Sequence, residues 1–268
     1  MNDTKFNIAV LIDGDNAQAK LIKEIIEEVS KYGKATIRRI YGDWTNNQMN
    51  SWKEIINQYS INPVQKFSYT TGKNSTDSSL IIDAMDILHD QNVDGFCIVS
   101  SDSDYTGLAK RIREEGLFVM GIGRRKTPIA FVNSCEIFTF AENLLPEIEL
   151  ADEVVEHKIK KRKIQSSDSK PKESTLKPIE IPEVKQEIKV VFPNLDISII
   201  DKAFEISTNE EDEANIAKVG SSLRKIDPSF DSRTYGFRTL TQLIQSIDKY
   251  VIVRNEVNGQ NQPVVKLR

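Results

Sequence analysis

The chain reads as an α/β protein built on a parallel sheet sandwiched by helices, followed by a small module of helices and a β wing. Three observations lead there. Short apolar runs, Ile8-Ala-Val-Leu-Ile12 above all, stop abruptly on acids, as fully buried strands of a parallel sheet do. Strand-like and helix-like segments alternate through residue 145, which implies crossover connections and helices on both faces. Beyond a charged stretch without apolar periodicity, helical spacing returns near Pro193 and ends in a hairpin signal.

Each element has its own justification. Residues 7–12 form the first strand, and 17–32 carry Leu21, Ile22, Ile25, Ile26 and Val29 at helical spacing before Gly33. A β-branched strand spans 35–41, a helical stretch 50–59 and a short strand 63–67. Residues 77–91 present a wide apolar helix face through Leu80, Ile81, Ala84, Met85, Ile87 and Leu88. Strand 95–100, helix 105–115 closed by Gly116, strand 117–122, short helix 128–133 and strand 137–140 complete the alternation. Domain boundaries fall at 1–146 and 193–268. The segment 147–192, with its basic run Lys158-Ile-Lys-Lys-Arg-Lys163 and prolines, is expected to be a flexible linker. In the last part, 196–207, 214–226 and 239–248 have helical spacing. Strands 250–254 and 264–267 flank Asn258-Gly259, so a winged-helix module is expected.

Composition excludes several chemistries. Two histidines and two cysteines in 268 residues, with neither a Cys/His cluster nor a nucleophile motif, argue against zinc and against Ser-His or Cys-His catalysis. Cys97 and Cys135 fall in or beside strands and read as small buried hydrophobes. No G-x-x-x-x-G-K-[ST] loop occurs, and Gly121-Ile-Gly123 lacks the third glycine of a dinucleotide fingerprint. The N-terminal residues lack a basic n-region and an apolar h-region, no run reaches membrane-spanning length, and a cytoplasmic setting is expected. A net charge of −4 argues weakly against a generally basic nucleic-acid binder, because local patches and metals can bind phosphate in an acidic protein.

What remains is acidic. The first strand ends on Asp13-Gly-Asp-Asn16, and strand 95–100 runs into Ser101, Asp102 and Asp104. Ligands of open parallel sheets bind outside the carboxyl ends of the strands. Carboxylates gathered there repel and raise one another's pKa, and a hard divalent cation with oxygen ligands relieves the conflict. Mg²⁺ or Mn²⁺ is the expected cofactor, with Asp13, Asp77, Asp102 and Asp104 as candidate ligands. Alternatives stand beside two of these acids and beside the neighbours of Asp13. Asp15 or Asn16 fits an N-cap of helix 17–32, Asp77 a cap or first-turn acid, and Asp104 a cap of the next helix. Lys73 and Ser101 are candidates for phosphate contact, and Arg124, Arg125 and Lys126 for guiding a backbone. For each basic residue a solvated loop is the competing reading.

Asp13-Gly-Asp-Asn16, Lys73-x-x-x-Asp77 and Ser100-Ser-Asp-Ser-Asp-Tyr105 together resemble the acidic motifs of NYN domains of the LabA-like group, within the PIN-like nuclease superfamily. Gly121-Ile-Gly-Arg-Arg-Lys-Thr-Pro128 and Cys135-Glu-Ile-Phe138 resemble the segment that closes that domain. Between Lys73 and Asp77 stands Asn-Ser-Thr, where relatives carry an apolar step. Val219-Gly-Ser-Ser-Leu-Arg-Lys-Ile-Asp-Pro-Ser-Phe230 and Arg233-Thr-Tyr-Gly-Phe-Arg-Thr-Leu240 are similar to the LOTUS (OST-HTH) domain, which binds RNA or a protein partner.

The resemblance implies hydrolysis of RNA phosphodiester bonds at a four-aspartate Mg²⁺/Mn²⁺ site. In that reading Asn16 orients a ligand or water, and Arg224, Lys225, Arg233 or Arg238 meets single-stranded or structured RNA. A protein partner of the LOTUS domain and a homodimer stay open. Two other functions remain at this point. One is a non-catalytic RNA-binding scaffold. The other is a phosphatase, since Asp13-Gly-Asp15 resembles an Asp-x-Asp nucleophile pair but is followed by Ala17 where a threonine belongs.

Overall fold

The strand order explains why the acids meet. In the computed structural model, which describes residues 6–67, 75–145, 192–210, 212–257 and 260–268, six strands form one sheet: β1 (Asn7–Asp13), β2 (Lys34–Gly42), β3 (Asn62–Gln65), β4 (Gly95–Val99), β5 (Phe118–Gly123) and β6 (Ile137–Phe140). All the pairings are parallel, in the order β3-β2-β1-β4-β5-β6. The order reverses between β1 and β4, so their carboxyl ends border the crevice that such a topology opens. Both strands are buried on both faces over almost their whole length, as their continuous apolar runs require.

Helices α1 (Ile22–Ser30), α2 (Lys53–Gln58), α3 (Ser75–Asp90), α4 (Thr106–Glu114) and α5 (Ile129–Val132) connect the strands. Strand alternation assigns the faces. Ala9, Leu11, Phe96, Ile98 and Val119 share a core with Leu80, Ala84, Leu108, Ile112 and Phe131, from the helices α3, α4 and α5. Alternation therefore turns Asp13, two residues beyond Leu11, toward the side of α3. Ile8, Val10 and Ile12 turn the other way, the side of α1.

The C-terminal module contains α6 (Ile197–Ser207), β7 (Glu213–Asn215), α7 (Ile216–Ile226), α8 (Leu240–Gln245), β8 (Tyr250–Val257) and β9 (Gln260–Leu267). Its antiparallel sheet runs β7-β9-β8, completing a winged helix. The core combines Phe204, Val219, Leu223, Phe230, Leu243, Ile244, Tyr250 and Val265. Gly236 closes the turn at 232–235 with φ 86°, a conformation that strains any residue with a Cβ. The described residues of 6–144 and 193–268 pack as one compact unit. Lys73, the linker with its basic run, and the Asn258-Gly259 turn lie outside the described residues.

Several element boundaries depart from the sequence reading, two of them with a clear physical cause. Residues 213–215 are strand, so helix α7 begins at Ile216, capped by Asn215. The strand forms because β9 offers an edge to pair with, a partner that local periodicity does not reveal. Helix 17–32 starts late, as a 3-10 turn Ala19–Leu21 leading into α1. The delay arises because the Asp13 carbonyl accepts from Asn16 and Ala17 in a tight turn, at 3.2 and 2.8 Å. Neither Asp15 nor Asn16 is then its N-cap, a position held by Gln18.

Candidate metal centre and nucleic-acid interface

Three of the four candidate acids converge. Asp77, Asp102 and Asp104 each bring a carboxylate oxygen within 4.8 Å of the others, Asp77 and Asp102 half-buried and Asp104 exposed. Asp77 sits in the first turn of α3, two residues inside its start, and accepts from the Tyr105 hydroxyl at 2.7 Å. Asp102 follows β4 and is itself the cap of the turn Ser103–Tyr105, its Oδ1 accepting from Asp104 N at 3.0 Å. The cap role considered for Asp104 therefore belongs to Asp102, and Asp104 lies inside the turn that Asp102 opens.

Asp13 lies behind this trio. It is fully buried, and its carboxylate accepts from Asp15 N at 3.1 Å, Asn16 Nδ2 at 2.7 Å and Ser100 Oγ at 2.8 Å. Burial pushes its pKa up, against the pull of the Asn16 and Ser100 hydrogen bonds and with help from Asp15. Asp77 is also raised, first by burial, then by the charges of Asp13, Asp102 and Asp104, while the Tyr105 hydrogen bond opposes. The four aspartates thus form one electrostatic group, with three whose carboxylate oxygens lie within 4.8 Å of one another and Asp13 held by three donors. An all-oxygen set in which burial and neighbouring charge raise the pKa of Asp13 and Asp77 fits a hard divalent cation.

Two residues that sequence reasoning passed over organise the group. Ser100, almost wholly buried, donates to Asp13 and accepts from Asp102 N at 3.1 Å, tying the two strand ends together. Parallel register gave the signal: Ile12 pairs with Val99, so the next step along both strands brings Asp13 to Ser100. Tyr105 is fully buried, its hydroxyl bonded to Asp77 and its pKa driven upward by burial and by the neighbouring aspartates. Gly123 lets β5 approach: a Cβ there would stand 2.4 Å from the Ser100 carbonyl oxygen.

The remaining candidates divide between a crevice and the exposed surface. Asn16, Ser101 and Arg124 line a small crevice with Leu21, Ile25, Val99 and Ile122, on the α1 side of the strand ends. Arg124 follows Ile122 by two and so shares its face, away from the side of Asp77. Its backbone N–H donates to Ser101 Oγ at 2.9 Å, while its Nε is buried without a partner. Arg125 and Lys126 are exposed.

In the winged helix, Arg233 is not available as an RNA contact. Its terminal nitrogens donate to both oxygens of buried Glu28 on α1, each at 3.0 Å, and Asp231 holds it from the other side. The reason is burial of Glu28, which needs a fully paired partner. Arg224 lies over the Tyr32 ring at 5.8 Å; Lys225 and Arg238 are exposed.

Comparison with known proteins adds the family. The NYN domain model matches residues 7–148 and the OST-HTH/LOTUS domain model residues 172–263. No curated protein matches the chain. Among solved structures, a protein of unknown function, VPA0982 from Vibrio parahaemolyticus, is 19% identical, with a TM-score of 0.44 over 52% of this chain and 94% of that one. An uncharacterized protein from gene locus NE0665 of Nitrosomonas europaea is 24% identical, with a TM-score of 0.29 over 35% of this chain and 92% of that one. Both likenesses are too distant to bear on function. The reversing parallel sheet, the aspartates at its switch point and the family match agree, and the chain belongs to the NYN domain family, PIN-like in fold, with an OST-HTH/LOTUS domain after it.

Proposed function

We propose that the protein is a metal-dependent ribonuclease that hydrolyses RNA phosphodiester bonds at the strand ends of its NYN domain. The observation that carries the reading is the convergence of Asp77, Asp102 and Asp104 within 4.8 Å, with Asp13 behind them, at the switch point of the NYN sheet. In this reading residues 1–146 form the nuclease domain, 147–192 a linker and 193–268 the winged helix.

Asp77, Asp102 and Asp104 would hold Mg²⁺ or Mn²⁺, with Asp13 behind them. The ion, when bound, supplies Lewis acidity: it lowers the pKa of water and neutralises charge on the scissile phosphate. The chain's own groups set the geometry. Tyr105 fixes one oxygen of Asp77, so the other is the one turned to a ligand. Asp102 keeps Oδ1 on its own turn and offers Oδ2. Ser100 and Asn16 hold Asp13 in one orientation, so its charge acts at a fixed distance. Arg125 and Lys126, on the exposed loop after β5, would guide the RNA backbone, and Lys225 and Arg238 would add phosphate contacts from the winged helix. No histidine is needed, in keeping with a chain that has two.

Purified protein incubated with end-labelled single-stranded RNA under Mn²⁺, Mg²⁺ or EDTA is the test. Cleavage should require metal and fall at least about a hundredfold in Asp102→Asn, the size of effect expected when a charge-stabilising group is removed. Cleavage that persists in Asp102→Asn would sink the site assignment. RNA binding without cleavage under any metal supports a scaffold instead. Release of phosphate from a small monoester, abolished in Asp13→Asn, would indicate a phosphatase.

A further inference from the structure

The bonds that join the winged helix to the NYN domain lead into the basic loop after β5. Glu28, only 4% exposed, takes Arg233 in a two-point grip that fixes angle as well as distance. The next residue, Thr234, is thereby set beside Asn143, whose Nδ2 donates to the Thr234 hydroxyl oxygen at 2.9 Å. The other end of the same amide, Oδ1, accepts from Arg125 Nη2 at 3.2 Å. Glu142, one residue back, receives the Arg125 N–H on both carboxylate oxygens at 3.0 and 3.1 Å. The Arg125 guanidinium lies over the Phe140 ring at 5.9 Å. Arg124, at the start of the loop, bonds through its N–H to Ser101, the residue before Asp102. One asparagine thus faces the docked module with its donor and the loop with its acceptor.

We propose that the docked winged helix positions the basic loop 124–126, and that Asn143 is the positioning residue that relays the dock to Arg125. The LOTUS domain then acts on RNA through the loop it holds in place, in addition to any contact of its own. The inference rests on the nuclease reading only in naming RNA as what the loop meets.

Hydrogen exchange on the full chain, without RNA or metal, reads the relay directly. In Asn143→Leu and Thr234→Val, the amides of 124–127 should exchange about 2–10-fold faster, the range for removal of one net hydrogen bond, while β1 and β4 stay unchanged. Asn143→Asp should restore protection: its carboxylate still accepts from Arg125, and the Thr234 hydroxyl can reverse and donate to it. Unchanged loop exchange in Asn143→Leu overturns the proposal, and so does an Asp variant that behaves like Leu. Binding of single-stranded RNA in EDTA, followed by anisotropy, tests the consequence. Arg125→Ala should weaken binding in the wild-type background and add little in Asn143→Leu; fully additive effects, or wild-type protein that binds no RNA, overturn the assigned role. RNA that is bound but never cut would sink the nuclease reading and leave this inference standing.

Discussion

At the scale of single residues, the acidic group contains its own test. Asp13 and Asp77 both hold protons more tightly in the folded chain than an ordinary carboxyl does, chiefly through burial. The folded state therefore binds more protons than the unfolded state between the ordinary carboxylate pKa and the raised one. Stability is greatest below that window and falls as pH climbs through it. Metal-free protein should show this decline in urea melts, and millimolar Mg²⁺ should recover part of the loss at neutral pH; a melt indifferent to Mg²⁺ would argue that no ion binds. Tyr105→Phe removes a charge-assisted donor to Asp77 and should cost about 1.5–3 kcal/mol, measurable by the same melts. Much of this group was legible in the chain: Asp13, Asp77, Asp102 and Asp104 stand out as acids at strand and helix ends. Their division of labour was not. That Asp102 caps while Asp104 does not depends on a 3-10 turn, and that Asp13 is held from a second strand depends on Ser100, 87 residues away in sequence.

At the scale of elements, apolar periodicity located the strands because buried parallel strands are apolar on both faces, as β1 and β4 are. It failed where pairing decides, at β7, and where a turn competes with a cap, before α1. It also gave no sign that α1 carries a buried acid. Glu28 lies on the buried side of that helix, and its partner Arg233 is 205 residues distant. Among the described residues, Arg233→Ala would leave that carboxylate with Lys31, at 2.7 Å. The expected destabilisation is about 2–3 kcal/mol, below the roughly 3–5 kcal/mol for breaking a buried pair, because Lys31 remains. Chemical denaturation of Arg233→Ala beside the double variant Glu28→Met/Arg233→Met checks this; the double variant should be the less destabilised of the two.

At the scale of the whole molecule, the two family modules share one compact unit, and this changes which cations can meet nucleic acid. Removing one phosphate-binding side chain lowers the slope of log affinity against log salt by about 0.7 for single strands. Lys225→Ala should reduce the slope by that amount. Arg233→Met should leave it unchanged, since its charge is already spent on Glu28 and Asp231. A salt titration of RNA binding for the two variants distinguishes these outcomes. The docking also bears on how the protein must be handled. Strand β6 closes the sheet on one side, and its Phe138 N–H donates to the Pro228 carbonyl of the winged helix at 2.8 Å. A fragment cut at residue 146 would bare that strand, and a bare strand recruits others. Such a fragment should self-associate in light scattering as its concentration rises, whereas the full chain should not. The C-terminal module would then serve as a solubility device for the NYN domain, independent of anything it recognises.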